Sequence, residues 1–367
     1  MLQLLQRIKR KCALLLSRGG PDYSARILAE TAAFRNCENV HDLPEIFHYW
    51  SNKYLVPMQA PFGFTSPNEF FHVNLYKACS RSGGKATRFL SIAAGNCDLE
   101  IGLAEKLYAS GQQNFVIECM DLNADMLARG MSAASGSQVK RFLQFDRRDF
   151  NQWKPEPGTY DAIMANQSLH HVLELEHLFE SVRSGLKPGG VFIISDMIGR
   201  NGHMRWPEAL KWVQKFWQEL PETYRLNRLM QRLELQYINH DCSQEGFEGI
   251  RAQDILPLLM RYFSFEFFLP CGNIIYPFID RAFGHNFNAA GEWDRDFIDR
   301  VHAADESLII RGEITPTSML AVVRMEPAVP VLRHPNLTPG RCIRRPMNYL
   351  ERLVELLALL RRPGLRL

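Results

Sequence analysis

Several features that would announce a chemistry are missing from this sequence. Its eight cysteines (12, 37, 79, 97, 119, 242, 271 and 342) form no C-x-x-C pair and no Cys/His ligand spacing, so no metal is expected and the thiols read as reduced, in a cytoplasmic protein. No uncharged run reaches the roughly 18–20 residues of a membrane span. The apolar start is interrupted by Arg7, Lys9, Arg10 and Lys11, with no small-residue cleavage site after it, so neither a span nor a secretory signal is predicted. There is no internal repeat. G-x-G-x-x-G, which a hydride-transferring dinucleotide site would carry after its first strand, is absent too.

What is present is a globular composition, with 46% apolar, 23% charged and 11% aromatic residues over 367 positions. The net charge of +3 is unevenly spread. Residues 1–20 carry five basic residues and no acid, and residues 324–367 carry nine Arg against three Glu, which leaves −8 on the middle of the chain. An acidic body argues against a nucleic-acid partner, because phosphate neutralisation needs clustered Lys and Arg. The ends, Met1–Leu16 and Asn348–Leu360, combine leucines with basic residues. Each reads as an amphipathic helix that packs on the body or on a second copy in a homo-oligomer, or lies peripherally on an inner membrane surface.

The pattern divides the chain into a basic helix (1–20), a helical cap (21–85), an α/β core (86–202), covering helices with the final strands (203–326) and a basic tail (327–367). In the core, apolar runs at Arg88–Ala93, Phe115–Met120, Val139–Phe145, Tyr160–Asn166 and Val191–Asp196 alternate with helical segments at 98–110, 125–134 and 175–186. This order predicts a parallel sheet covered on both faces, with ligands beyond the carboxyl ends of the strands. Helices are expected at 206–220, 222–237 and 252–262, and last strands at Ser264–Leu269 and Ser318–Met325. Residues 204–300 hold 18 of the 40 aromatics, enough to line an apolar pocket as well as a core.

The first strand runs into Ala93-Ala94-Gly95-Asn96-Cys97-Asp98, where small side chains allow close approach of backbone N–H groups to a ligand. Asp121 closes the second strand, the place of an acid that accepts from ribose hydroxyls, with Glu118 as the competing acid. Asp149-Phe150 follows the third strand and Asn166-Gln167-Ser168-Leu169-His170-His171 the fourth.

This ordered series resembles the class I S-adenosylmethionine-dependent methyltransferases over roughly Arg88 to Gly202. The resemblance implies a Rossmann-like, mostly parallel sheet of seven strands with an antiparallel last strand, and S-adenosylmethionine as cofactor. The cofactor residues it implies are Ser91, Ala93, Gly95, Asn96 and Cys97 in the loop, Asp121 and Leu122 at the ribose and adenine, Asp149 and Phe150 at the adenine edge, and Asn166, Gln167 and Ser168 facing the methionine part. The loop departs from the family by keeping only its central glycine. Ala93 permits close approach while its φ stays negative, and Cys97 adds a side chain near the ligand's carboxylate.

His171 and His203 are the candidate general bases, lying with His170 and Asp196 at the carboxyl face. His240-Asp241 is a further pair, while Arg205 and Arg251 could grip an anionic group. The expected activity is methyl transfer to a small-molecule substrate such as a sugar, lipid or natural-product hydroxyl. A catalytically silent binding module is the alternative, and an NAD(P) oxidoreductase a third reading.

Overall fold

The computed structural model describes residues 23–34, 43–244, 246–345, 347 and 351. The basic helices expected at 1–20 and 348–360 lie outside them. The elements are α1 (Tyr23–Phe34), α2 (Glu45–Trp50), α3 (Val56–Gln59), α4 (Pro67–Arg81), β1 (Thr87–Ile92), α5 (Asp98–Ala109), β2 (Phe115–Asp121), α6 (Ala124–Ala134), β3 (Leu143–Arg147), β4 (Tyr160–Asn166), α7 (Leu175–Gly185) and β5 (Leu186–Met197). Then come α8 (Pro207–Glu219), β6 (Leu226–Asn227), β7 (Arg232–Leu233), α9 (Ala252–Tyr262), β8 (Ser264–Cys271), α10 (Tyr276–Ile279), α11 (Glu292–Arg311), β9 (Ser318–Arg324) and β10 (Val331–Leu332).

Among the described residues, ten strands form an eight-stranded sheet in the order β10-β8-β9-β5-β4-β1-β2-β3 and a separate β6-β7 hairpin. The large sheet is parallel except at β9, which runs antiparallel to both β5 and β8. The sheet thus has eight strands where seven were expected. The addition is β10, a two-residue pairing with Phe267 and Phe268 of β8, contributed by the segment read as a tail.

Strand alternation splits the core in two. Phe89, Ile117, Cys119, Ala162, Met164 and Ile193 join one cluster with α4 and α5. Leu90, Ile92, Ile163, Ala165, Phe192 and Ile194 join the other with α7, α8, α9 and α11. Crossovers on both faces bring the turns after β1 to β5 to one edge, so residues distant in sequence converge there.

Two expectations fail for local reasons. Residues 222–237 form a 3₁₀ turn and the β6-β7 hairpin instead of a helix. Asn227 accepts from the N–H groups of Leu229 and Met230, an Asx turn that competes with helix. Conversely, α11 was not read, because its buried stripe of Phe297, Ile298, Val301, Leu308 and Ile309 is interrupted by buried Asp305. That carboxylate accepts from the N–H groups of Asn273, Ile274 and Ile275, closing the turn before α10.

Candidate functional site at the carboxyl ends of the strands

The loop after β1 is built on left-handed backbone. Ala93, Gly95 and Cys97 have φ of 53°, 58° and 61°. Ala93 therefore does not keep the negative φ expected of it, and an L residue in this region costs about 1–2 kcal/mol. Cys97 also differs from expectation. Its side chain is buried against Gly130 of α6, where a Cβ would stand 3.0 Å from the Cys97 Sγ, so the thiol serves helix packing and only the Cys97 backbone lines the turn.

Asp121 ties this loop to β2. Gly95 N–H donates to its Oδ2 at 2.8 Å and Asn123 N–H to its Oδ1 at 2.7 Å, leaving lone pairs on both oxygens. Burial pushes its carboxyl up from the usual range, against those two N–H donors. Glu118, the competing acid, accepts from Arg88 and the Tyr160 hydroxyl.

The other loop residues face varied partners. Ser91 Oγ donates to Glu100 Oε1 at 2.6 Å and is fully buried, and Asn96 Oδ1 accepts from Arg129 Nε. Leu122 is half-buried, whereas Phe150 packs into the core beside Trp153. Asn166 ends β4, exposed Gln167 turns at φ 51° and donates to Ser195 Oγ, and Ser168 Oγ is buried without a protein partner.

Asp196 near the end of β5 organises the turn after β4. Its oxygens accept from the N–H groups of Ser168, Leu169 and Met197, and His170 Nδ1 lies 2.7 Å from Oδ1. Three histidines then meet one carboxylate. Glu248 Oε1 is 3.6 Å from His170 Nε2 and 2.5 Å from His203 Nε2, while its Oε2 is 3.4 Å from His171 Nε2.

The meeting depends on two glycines. Gly202 N–H donates to Gly249 O at 2.9 Å, both residues have φ of 64°, and a Cβ on Gly202 would overlap Asp241 Oδ1. Ile250 N–H donates to His170 O, closing the same loop onto the third segment.

The electrostatics follow from this crowding. Burial alone would lower the His170 pKa, but Asp196 and Glu248 outweigh it and hold the imidazolium up to about 10. Burial pushes His203 down despite Glu248. Glu248 would rise through burial but is held far below the carboxylate range by its histidines.

Helix α1 lies over this edge. Tyr23 donates to Asp149 Oδ2 at 2.6 Å, and burial, reinforced by that bond, pushes the tyrosine hydroxyl far up. Arg26 donates to the carbonyls of Ser243 and Gly246. Glu30 accepts from Phe247 N–H through Oε2, and its Oε1 stands 2.8 Å from His171 Nδ1 at ion-pair distance.

Sequence reasoning missed Tyr23, Glu30 and Glu248. Only the glycines flanking Phe247-Glu248 hinted at a built turn. Arg205 donates to His203 O and Arg251 binds Glu176 and Asp254, so both serve structure. In His240-Asp241, the acid accepts from Ser243 N–H and from the Gln244 side-chain Nε2. A separate surface groove of about 800 Å³, lined by residues such as Tyr49, Lys53, Arg295 and Asp299, shares no residue with this site.

Residues 82–252, which contain all three histidines and Glu248, match the family described as a methyltransferase domain. N-terminal Xaa-Pro-Lys N-methyltransferase 1 of Mus musculus is 30% identical over 92 residues, 24% of this chain and 40% of that protein. The polyketide synthase component of compactin nonaketide synthase from Penicillium citrinum is 28% identical over 188 residues, 47% of this chain and 6% of that protein. The chain thus spans less than half the length of these curated relatives. Among solved structures, the [4+2]-cyclase SpnF covers 70% of this chain and 81% of its own at 15% identity and a TM-score of 0.40. Geranyl diphosphate C-methyltransferase from Streptomyces coelicolor A3(2) covers 69% and 78% at 10% identity and a TM-score of 0.38.

Proposed function

We propose that this chain, whose residues 82–252 belong to the class I S-adenosylmethionine-dependent methyltransferase family, methylates a small or medium organic acceptor, an oxygen nucleophile first among them. The carrying observation is the convergence of His170, His171 and His203 on Glu248 at the same sheet edge as the Asp121 loop.

The residues at that edge suit the cofactor. Asp121 keeps lone pairs for ribose hydroxyls, Gly95 presents no side chain, and the buried Ser168 hydroxyl lacks a partner that a polar ligand group would supply. When bound, S-adenosylmethionine supplies an electrophilic methyl group on sulfonium sulfur.

The chain's own work is then positioning and proton removal. His171 accepts the acceptor's proton at Nε2, and Glu30 beside Nδ1 stabilises the imidazolium that forms. Asp196 fixes the turn that carries both His170 and His171. The aromatic residues between β5 and β9, among them Trp217, Phe278 and Phe297, are largely taken up by the core, so the acceptor class rests on the long alignment with a polyketide synthase component, which agrees with a natural product.

Calorimetry of the full chain with S-adenosylmethionine tests the cofactor reading. Binding is expected, weakened at least about tenfold in Asp121→Asn by loss of charged hydrogen bonds. No binding at millimolar cofactor overturns it. With a panel of hydroxyl, amine and thiol acceptors, His171→Ala is expected to lower kcat about 10²–10⁴-fold while cofactor affinity holds. An unchanged kcat removes His171 from the proton step.

A further inference from the structure

The sequence carries no contiguous ligand motif, yet three separated segments deliver one. We propose that His170 Nε2, His203 Nε2 and Glu248 Oε1 form a site for a single divalent first-row transition ion of the zinc or iron(II) type, at the sheet edge that carries the Asp121 loop.

The three ligating atoms lie within 4.8 Å of one another, and their separations from Glu248 Oε1 are 3.6 Å for His170 and 2.5 Å for His203. An ion with bonds of about 2.0–2.2 Å sets neighbouring ligand atoms roughly 3–3.5 Å apart. The two distances to Glu248 Oε1 bracket that spacing, so rotations of the side chains bring the set to it.

The outer contacts are those of a built site. His170 Nδ1 is held by Asp196, which is 0% exposed and accepts three backbone N–H groups as well. A carboxylate that fixes one imidazole nitrogen presents the other as a ligand once the ion displaces the proton there to solvent, the arrangement found behind metal-bound histidines. His203 is kept at φ 56°, a left-handed conformation for a residue with a Cβ, and persists because the Gly202–Gly249 contact determines it. Strain retained at a cluster of ligating groups is a mark of function.

The donor set also chooses the ion. Two imidazoles and one carboxylate suit Zn²⁺, Fe²⁺, Co²⁺ or Ni²⁺, whereas Mg²⁺ and Ca²⁺ prefer oxygen ligands. With three protein ligands and a Glu248 side chain that is 42% exposed, coordination positions remain for water or an acceptor oxygen. An ion there polarises that oxygen and lowers the pKa of its proton. His171, outside the triad on the second Glu248 oxygen, stays available as the base.

This goes beyond methyl transfer, because ion binding is measured without cofactor or acceptor. The full chain, stripped with EDTA and dialysed, is titrated with Co²⁺ alone. One ion per chain is expected, with the intense visible absorption of four- or five-coordinate Co²⁺. Glu248→Gln and His203→Ala should each weaken binding at least about 100-fold, and Asp196→Asn about 10–100-fold. His177→Ala, whose imidazole bonds Trp153 O away from the cluster, should bind as the parent does.

Circular dichroism screens the variants, and His203→Gln replaces any ligand variant that fails to fold. Absence of stoichiometric Co²⁺ binding, survival of binding in the folded ligand variants, or equal affinity for Mg²⁺ overturns the proposal.

Discussion

Tyr23 Oη and Asp149 Oδ2 are 2.6 Å apart although 126 positions separate them in the chain. The contact sets the first turn of α1 on the acid that the family resemblance assigns to the adenine edge. Asp149 also accepts from Asn151 N–H and from Gln152, so most of its capacity is committed within the chain.

Tyr23→Phe is therefore expected to free one acceptor position on Asp149. Losing a competing hydrogen bond of about 1 kcal/mol should tighten cofactor binding about fivefold. Calorimetry reads it directly. Weaker binding would mean that the tyrosine orients the acid for the ligand.

Ala93→Gly addresses the loop. At φ 53° the alanine pays about 1–2 kcal/mol that glycine does not, partly offset by about 0.5–1 kcal/mol of extra unfolded-state entropy. The expected result is a melting temperature raised by a degree or two with cofactor affinity retained. Ala93→Val should move in the opposite direction, since a β-branched residue tolerates this backbone worst.

Glu100 makes stability depend on pH. The side chain is 1% exposed, bonded by Ser91 on Oε1 and unpartnered on Oε2, and burial raises its pKa to about 7 from 4.5. The folded chain thus holds this proton more tightly than the unfolded one. Stability is highest below about pH 4.5 and falls as pH rises towards 7, by at most about 3 kcal/mol from this group. Glu100→Gln removes the ionisation but adds a second N–H to satisfy. In urea titrations it is expected to be more stable than the parent at pH 8 by about 1 kcal/mol and less stable below pH 5. A difference independent of pH would assign the proton elsewhere.

The alternation of strands and helices and the residues ending β1, β2 and β4 were legible because local patterns write them. Apolar runs bounded by small or acidic residues mark strand ends whatever lies beside them, so Asp121 could be placed without knowing its donors. Glu248, Glu30 and Tyr23 could not, since each gains its role from loops or helices that cross the sheet edge from elsewhere. His170 was named only beside its neighbour. Its bond to Asp196 needs the β4-β5 register, which pairs Asn166 with Ser195. Helix α11 was hidden for the opposite reason, a carboxylate in the buried stripe that serves another segment's turn.

The short strand β10 has a consequence for how copies of the chain meet. Val331-Leu332 is flanked by Pro330 and Pro335, and Arg333 binds the carbonyl of Pro270 and the carboxylate of Glu306. Prolines offer no N–H, so the outer rim of the sheet on this side presents little for another strand to zip onto. A piece of chain that looks like loose basic tail thus acts as a hem on this side, and a second copy that extended the sheet would have to do so at the opposite edge, along β3.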